Sequence, residues 1–152
     1  DLELLTALQS LPFAKLFVSF LFYFVGGYLF YGALFAAIGS AVDNETDTQQ
    51  FMLPITMPLV FSIAISFSLI SGDPHGTLAT WMSMIPLTSP IVMMVRIPFE
   101  PDLWQVLLSM TILVVSIIGV TWMAGKIYRT GILMYGKKPT YKELAKWLFY
   151  KN

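Results

Sequence analysis

Three long apolar runs, separated by short polar clusters, organise this chain of 152 residues. Phe13 to Val42 holds one charge, Lys15 at its edge, while Phe51 to Ile70 and Leu103 to Ala124 hold none. At about 1.5 Å of rise per residue each run is long enough, as a helix, to cross a hydrocarbon core of roughly 30 Å. The pattern therefore predicts an all-α, polytopic membrane protein forming a single transmembrane domain, with spans at about 13–42, 51–70 and 103–124. Trp104 and Trp122 lie near the two ends of the last run, where indole rings anchor a span at the interface.

Asp1 to Pro12 places Leu4, Leu5, Leu8 and Leu11 at helical spacing, which suits a short interfacial helix or a frayed end. Asp43 to Gln50, DNETDTQQ, has three carboxylates and no base and is expected to be a tight aqueous loop, making its flanking helices antiparallel. Ser71 to Thr77, SGDPHGT, is a turn cluster. Residues 78–99 are apolar but hold Pro86, Pro90, Pro98 and Arg96. Prolines 86 and 90 divide them into two pieces, each too short to cross, so a re-entrant helix-break-helix is expected in preference to a kinked full span.

Small residues and prolines mark two further features. Gly32, Ala36 and Ser40 recur every four residues and would let another helix backbone approach closely. Pro54 and Pro58, one turn apart, free backbone carbonyls near the start of the second span and suit either a hinge or a static kink.

Composition strengthens the membrane assignment: 57% of residues are hydrophobic and only 12% charged, with a mean hydropathy of +0.72, outside the range of soluble domains. The formal net charge of zero hides a segregation, since seven of the nine bases follow residue 125. The positive-inside rule then places the tail, 125–152, in the cytoplasm. Counting back through three spans puts 71–102 outside and the DNETDTQQ turn inside. If 78–99 crossed instead, that turn would move outside. Within the tail, Thr140 and Glu143 form a capping box opening an amphipathic helix with Lys142, Leu144, Lys146, Trp147 and Leu148, expected to lie on an anionic surface.

Catalytic chemistry finds little support. With no cysteine there is no disulfide or thiolate metal site. Every acid falls in a loop, an end or the tail, and His75 sits in a turn without a second histidine beside it. No GxSxG elbow occurs. Gly131 to Lys138, GILMYGKK, imitates a phosphate-binding loop, but Lys138 stands where the magnesium-binding hydroxyl is required and no strand precedes it. The chain is expected to be no enzyme, with no catalytic, cofactor or metal residues of its own. An alternative is a non-transporting integral membrane scaffold or assembly factor.

Three runs resemble a known family: LFAAIGSAVDNETDTQQFMLPITMP, PLTSPIVMMVRIPF and KIYRTGILMYGKK look like the C-terminal half of ABC-2 type exporter permeases, in their NatB-like sodium-exporter branch. The resemblance implies a six-span subunit of a bacterial cytoplasmic (inner) membrane exporter. It would form the translocation path, dimerise with a second copy or a paralogue, and be driven by a separate cytoplasmic ABC ATPase that binds the ATP. No nucleic acid is implied. By position Gly39, Ser40, Asp43, Gln50 and Pro54, with Pro58 beside them, match a cytoplasmic hinge; Pro86, Ser89, Pro90, Met93 and Arg96 match an external re-entrant gate. The start at Asp1, without Met or a basic leader, is read as the cut end of a larger protein. Sodium and a lipid-like or drug-like molecule both stand as substrates.

Overall fold

A computed structural model describes residues 1–42, 44–133, 145–146 and 148–149. Its elements are α1 (Leu2–Ser10), α2 (Phe13–Ala41), α3 (Glu45–Ser71), α4 (Thr77–Met84), α5 (Ser89–Arg96), a 3₁₀ turn (Ile97–Phe99) and α6 (Leu103–Leu133). Helices α2, α3 and α6 are each long and apolar enough to cross a membrane. The all-α, multi-pass architecture expected from the hydropathy pattern is what the chain adopts.

Two boundaries differ from the sequence reading, for the same physical reason. The DNETDTQQ stretch is not a loop over its length, because α3 begins at Glu45. Asn44 caps it by accepting from the Asp47 N–H at 3.0 Å, and Glu45 and Asp47 complement the positive end of the helix dipole. Likewise α6 continues past Gly125 to Leu133, with Lys126 over the Trp122 ring at 5.3 Å and Arg129 Nε donating to Gly125 O at 3.3 Å. Charge ends a hydrocarbon crossing without ending a helix. Thr140, Glu143 and Trp147 of the expected amphipathic helix lie outside the described residues, as does Asp43.

Helix α3 runs unbroken through Pro54 and Pro58. Around them Thr56 Oγ1 donates to Met52 O (3.0 Å), Ser62 Oγ to Pro58 O (2.6 Å) and Ser66 Oγ to Ser62 O (2.7 Å). Such back-bonding hydroxyls bend helices.

The core forms where α2, α5 and α6 meet, around Tyr23, Phe30, Tyr31, Met93, Ile97, Val106 and Leu113. Most other large apolar side chains of α2, α3 and α6 point outward, the arrangement suited to a lipid solvent. The leucines of α1 also face outward, and none of its residues is buried.

Helices α2 and α6 are parallel. Tyr23 meets Ser109, Gly26 meets Leu113 and Ile117, and Ala37 and Ala41 cluster with Ala124 and Ile127, so contacts advance in one direction along both. Between α3 and α6 stand α4, α5 and the 3₁₀ turn. Each of the two helices has eight residues, about 12 Å of helix against a core of roughly 30 Å.

Candidate functional site: a helical pair seated on a buried arginine

Helices α4 and α5 are joined by a break at Ile85–Thr88. Thr88 ties it, its hydroxyl donating to Met82 O and, at 3.2 Å, to Ile85 O. Pro90 occupies the first turn of α5, where a missing N–H costs nothing. The pair sits in a notch of α2. A Cβ on Gly27 would lie 3.0 Å from Pro90 Cβ, and one turn on, Tyr31 donates its hydroxyl to Leu87 O.

Arg96 closes the pair from the other end. Its guanidinium is 1% exposed, and it donates through Nε to Pro74 O (2.8 Å), Nη1 to Ser83 Oγ (2.8 Å) and Nη2 to Gln105 Oε1 (2.7 Å). All three acceptors are neutral, and each is served by a different nitrogen of the planar fork, a spread that the single nitrogen of an ammonium lacks. Burial pulls its pKa below the ordinary value, and the charge on Asp102 offsets part of that. Ser83 carries the network inward: its carbonyl accepts from Ser109 Oγ (2.7 Å), and Ser109 Oγ accepts from the Tyr23 hydroxyl (2.9 Å). A continuous path of polar atoms, buried at its centre, thus links α2, α6, α4, α5 and the turn at 72–76.

The residues matched to the external gate are gathered here. Ser89, Met93 and Arg96 share one face of α5 and are buried, Pro86 lies within the break and Pro90 just beyond it. Ser89 Oγ has no hydrogen-bond partner among the described residues. Of the residues matched to the cytoplasmic hinge, Gly39, Gln50 and Pro54 are exposed and Pro58 is half-buried. The stripe expected to pack a helix does not do so among the described residues. Gly32 and Ala36 face outward, with open space around Gly32, and Ser40 Oγ turns back to Ala37 O. The stripe lies about 100° around α2 from Ala37 and Ala41, which face α6. The close approaches fall instead at Gly26, against Leu113, and Gly27, against Pro90.

Sequence reasoning passed over Tyr23, Tyr31, Ser83, Gln105 and Ser109. The available signal was their polarity at membrane depth, where a hydroxyl or amide needs a partner. Between α2 and α5, with Leu59 of α3 at its edge, runs an apolar groove of about 480 Å³ lined by Phe24, Gly27, Tyr28, Pro90 and Met94 among others. No cluster of metal-ligating side chains occurs among the described residues.

Residues 2–126 match the family described as ABC-2 family transporter protein. The chain belongs to the ABC-2 transporter family. It is 30% identical over 132 residues to the uncharacterized protein MJ1024 of Methanocaldococcus jannaschii, covering 86% of this chain and 32% of that protein. It is 28% identical over 127 residues to the uncharacterized protein YhaP of Bacillus subtilis, covering 83% of this chain and 30% of that protein. The chain thus spans about a third of the length of these curated relatives. No solved structure matches. Membership makes this ABC-2 chain part of the membrane component of a transporter.

Proposed function

We propose that the chain is the C-terminal, three-span part of an ATP-driven export permease of the NatB-like branch, paired with a second permease copy or paralogue and driven by a separate cytoplasmic ATPase that holds the ATP. The observation that carries this reading is the parallel course of α2 and α6 in a chain matched by the ABC-2 family. Two crossings, by α2 and α3, return the chain to the side where α2 began. Helix α6 can then run parallel to α2 only when α4 and α5 leave and re-enter the same side. In this reading the pair is a re-entrant gate on the face opposite the basic end of α6, which the positive-inside rule makes external. The α2–α3 turn and the end of α6 face the cytoplasm, where ATP-driven closure of the ATPase would move packed helices as units. Tyr23 and Tyr31 turn their hydroxyls away to Ser109 and Leu87, so the groove beside them offers mainly ring faces and favours an apolar, lipid-like or drug-like substrate over sodium.

Affinity purification of the full-length protein from its own membranes tests the reading. A nucleotide-binding ABC subunit should co-purify in stoichiometric amount, and a substitution in that subunit's phosphate-binding lysine should abolish efflux. Recovery without an ATPase would favour a scaffold or assembly factor.

A further inference from the structure

The hydrogen bonds between elements are unevenly distributed. Tyr23 to Ser109 joins α2 to α6, Ser109 to Ser83 O joins α6 to α4, and Arg96 joins α5 to Ser83, Gln105 and Pro74. Tyr31 to Leu87 O closes the ring between α2 and the break. Helix α3 stands differently. The hydroxyls of Thr56, Ser62, Ser66 and Ser71 all return to carbonyls of their own helix. It leans on the pair through an apolar cluster of Leu69 with Ala79 and Val92. Hydrogen bonds are directional and fix one registration; contacts between short apolar side chains are not, and packed helices slide along such seams.

We infer that Tyr23, Ser83 and Ser109 are positioning residues that latch the helical pair, through Arg96, to α2 and α6 as one body, and that the seam which slips is the one between α3 and the pair. Use of this motion as a gate rests on the permease reading; the latch itself rests on the hydrogen-bond geometry alone. The moving part is then α3, carrying Pro54 and Pro58, and the external pair stays fixed to its neighbours.

The test is pulsed electron paramagnetic resonance on the full-length protein with its ATPase in proteoliposomes, using spin-labelled cysteine pairs and any cysteines elsewhere in the protein replaced. Ile85→Cys with Leu107→Cys reads the pair against α6, Ile85→Cys with Ile63→Cys reads it against α3, and Tyr28→Cys with Ile118→Cys reads α2 against α6; all five positions are exposed. The 85–107 distribution should be narrow and the same with and without ATP, while the 85–63 distribution is wider and shifts with ATP. Tyr23→Phe and Ser109→Ala should each widen 85–107 and leave 28–118 narrow, and Ser109→Thr should restore the first. An 85–107 distribution as wide as 85–63 before any substitution, or one unmoved by Ser109→Ala and Tyr23→Phe alike, overturns the latch. A narrow 85–107 that widens on substitution, beside a wider 85–63 that ATP does not shift, supports the latch and counts against the ATP-driven reading.

Discussion

Tyr23 and Ser109, 86 residues apart in sequence, share a buried hydrogen bond of 2.9 Å that sets the level at which α2 and α6 run side by side. The two ends of that bond are unequal. Ser109 also donates to Ser83 O, so Tyr23→Phe removes one donor and leaves the serine proton satisfied. Ser109→Ala strands the tyrosine hydroxyl and takes the donor from Ser83 O. Tyr23→Phe should therefore cost about 1 kcal/mol and Ser109→Ala about 2–3 kcal/mol. Thermal unfolding of the full-length protein in detergent, with the double variant closing the cycle, checks the order.

Arg96 should be the most sensitive position in the pair. Arg96→Ala leaves Ser83 Oγ, Gln105 Oε1 and Pro74 O without their donor and should cost about 3 kcal/mol or more. Arg96→Lys should recover less than half, since an ammonium cannot reach three acceptors in the guanidinium plane. The contribution should stay flat between about pH 5 and 9. Both folded and unfolded chains keep the guanidinium protonated there, and its lowered pKa would raise stability with pH only near the ordinary arginine value. Folded yield and unfolding temperature across pH measure both claims.

Glycine substitutions should separate close approaches from open positions. A Cβ on Gly27 meets the rigid Pro90 ring at 3.0 Å, whereas one on Gly26 meets the movable end of Leu113 at 2.9 Å. Gly27→Ala should cost about 1–3 kcal/mol by overpacking. Gly26→Ala should fall near neutral, because the better helix propensity of alanine, about 1 kcal/mol, offsets a rotamer adjustment. Gly32→Ala meets open space and should stabilise by up to about 1 kcal/mol. Loss of stability at Gly32 in the full-length protein would mean that another part of the assembly packs on that face.

Ser89→Ala removes a buried hydroxyl without a partner among the described residues. Stability should be unchanged or rise by about 1 kcal/mol. Unchanged stability together with lost efflux would assign Ser89 Oγ to substrate or to a moving contact, and a transport assay beside the melting curve distinguishes these.

Much of this architecture could be read from hydropathy, because a crossing is long and leaves a long signal. Phe13 to Val42 differs from α2 by one residue at its end, and Pro86 and Pro90 mark the break that the structure has at Ile85–Thr88. The start of α3 and the end of α6 were hidden because hydropathy reports where lipid ends, while a helix capped by Asn44, or one carrying Lys126 and Arg129 on its surface, continues past that point. In the site, Arg96 and the prolines were visible as oddities in an apolar run. Ser83, Ser109 and Tyr23 were not, since a lone hydroxyl carries no record of the distant partner that satisfies it. The small-residue stripe shows a related limit: spacing identifies a face of α2 but not which neighbour lies against it, and among the described residues the close approaches fall at Gly26 and Gly27.

The returning course of α4 and α5 is most directly tested by the side from which residues flanking the pair can be reached. This chain has no cysteine, so with any cysteines elsewhere in the protein replaced, Asp47→Cys, His75→Cys, Glu100→Cys and Lys126→Cys can each be labelled alone with an impermeant maleimide in sealed, right-side-out and inverted vesicles of the full-length protein. His75 and Glu100 should label from the outside, and Asp47 and Lys126 from the cytoplasmic side. Labelling of His75 and Glu100 from opposite sides would make 78–99 a crossing and contradict the topology on which the gate depends.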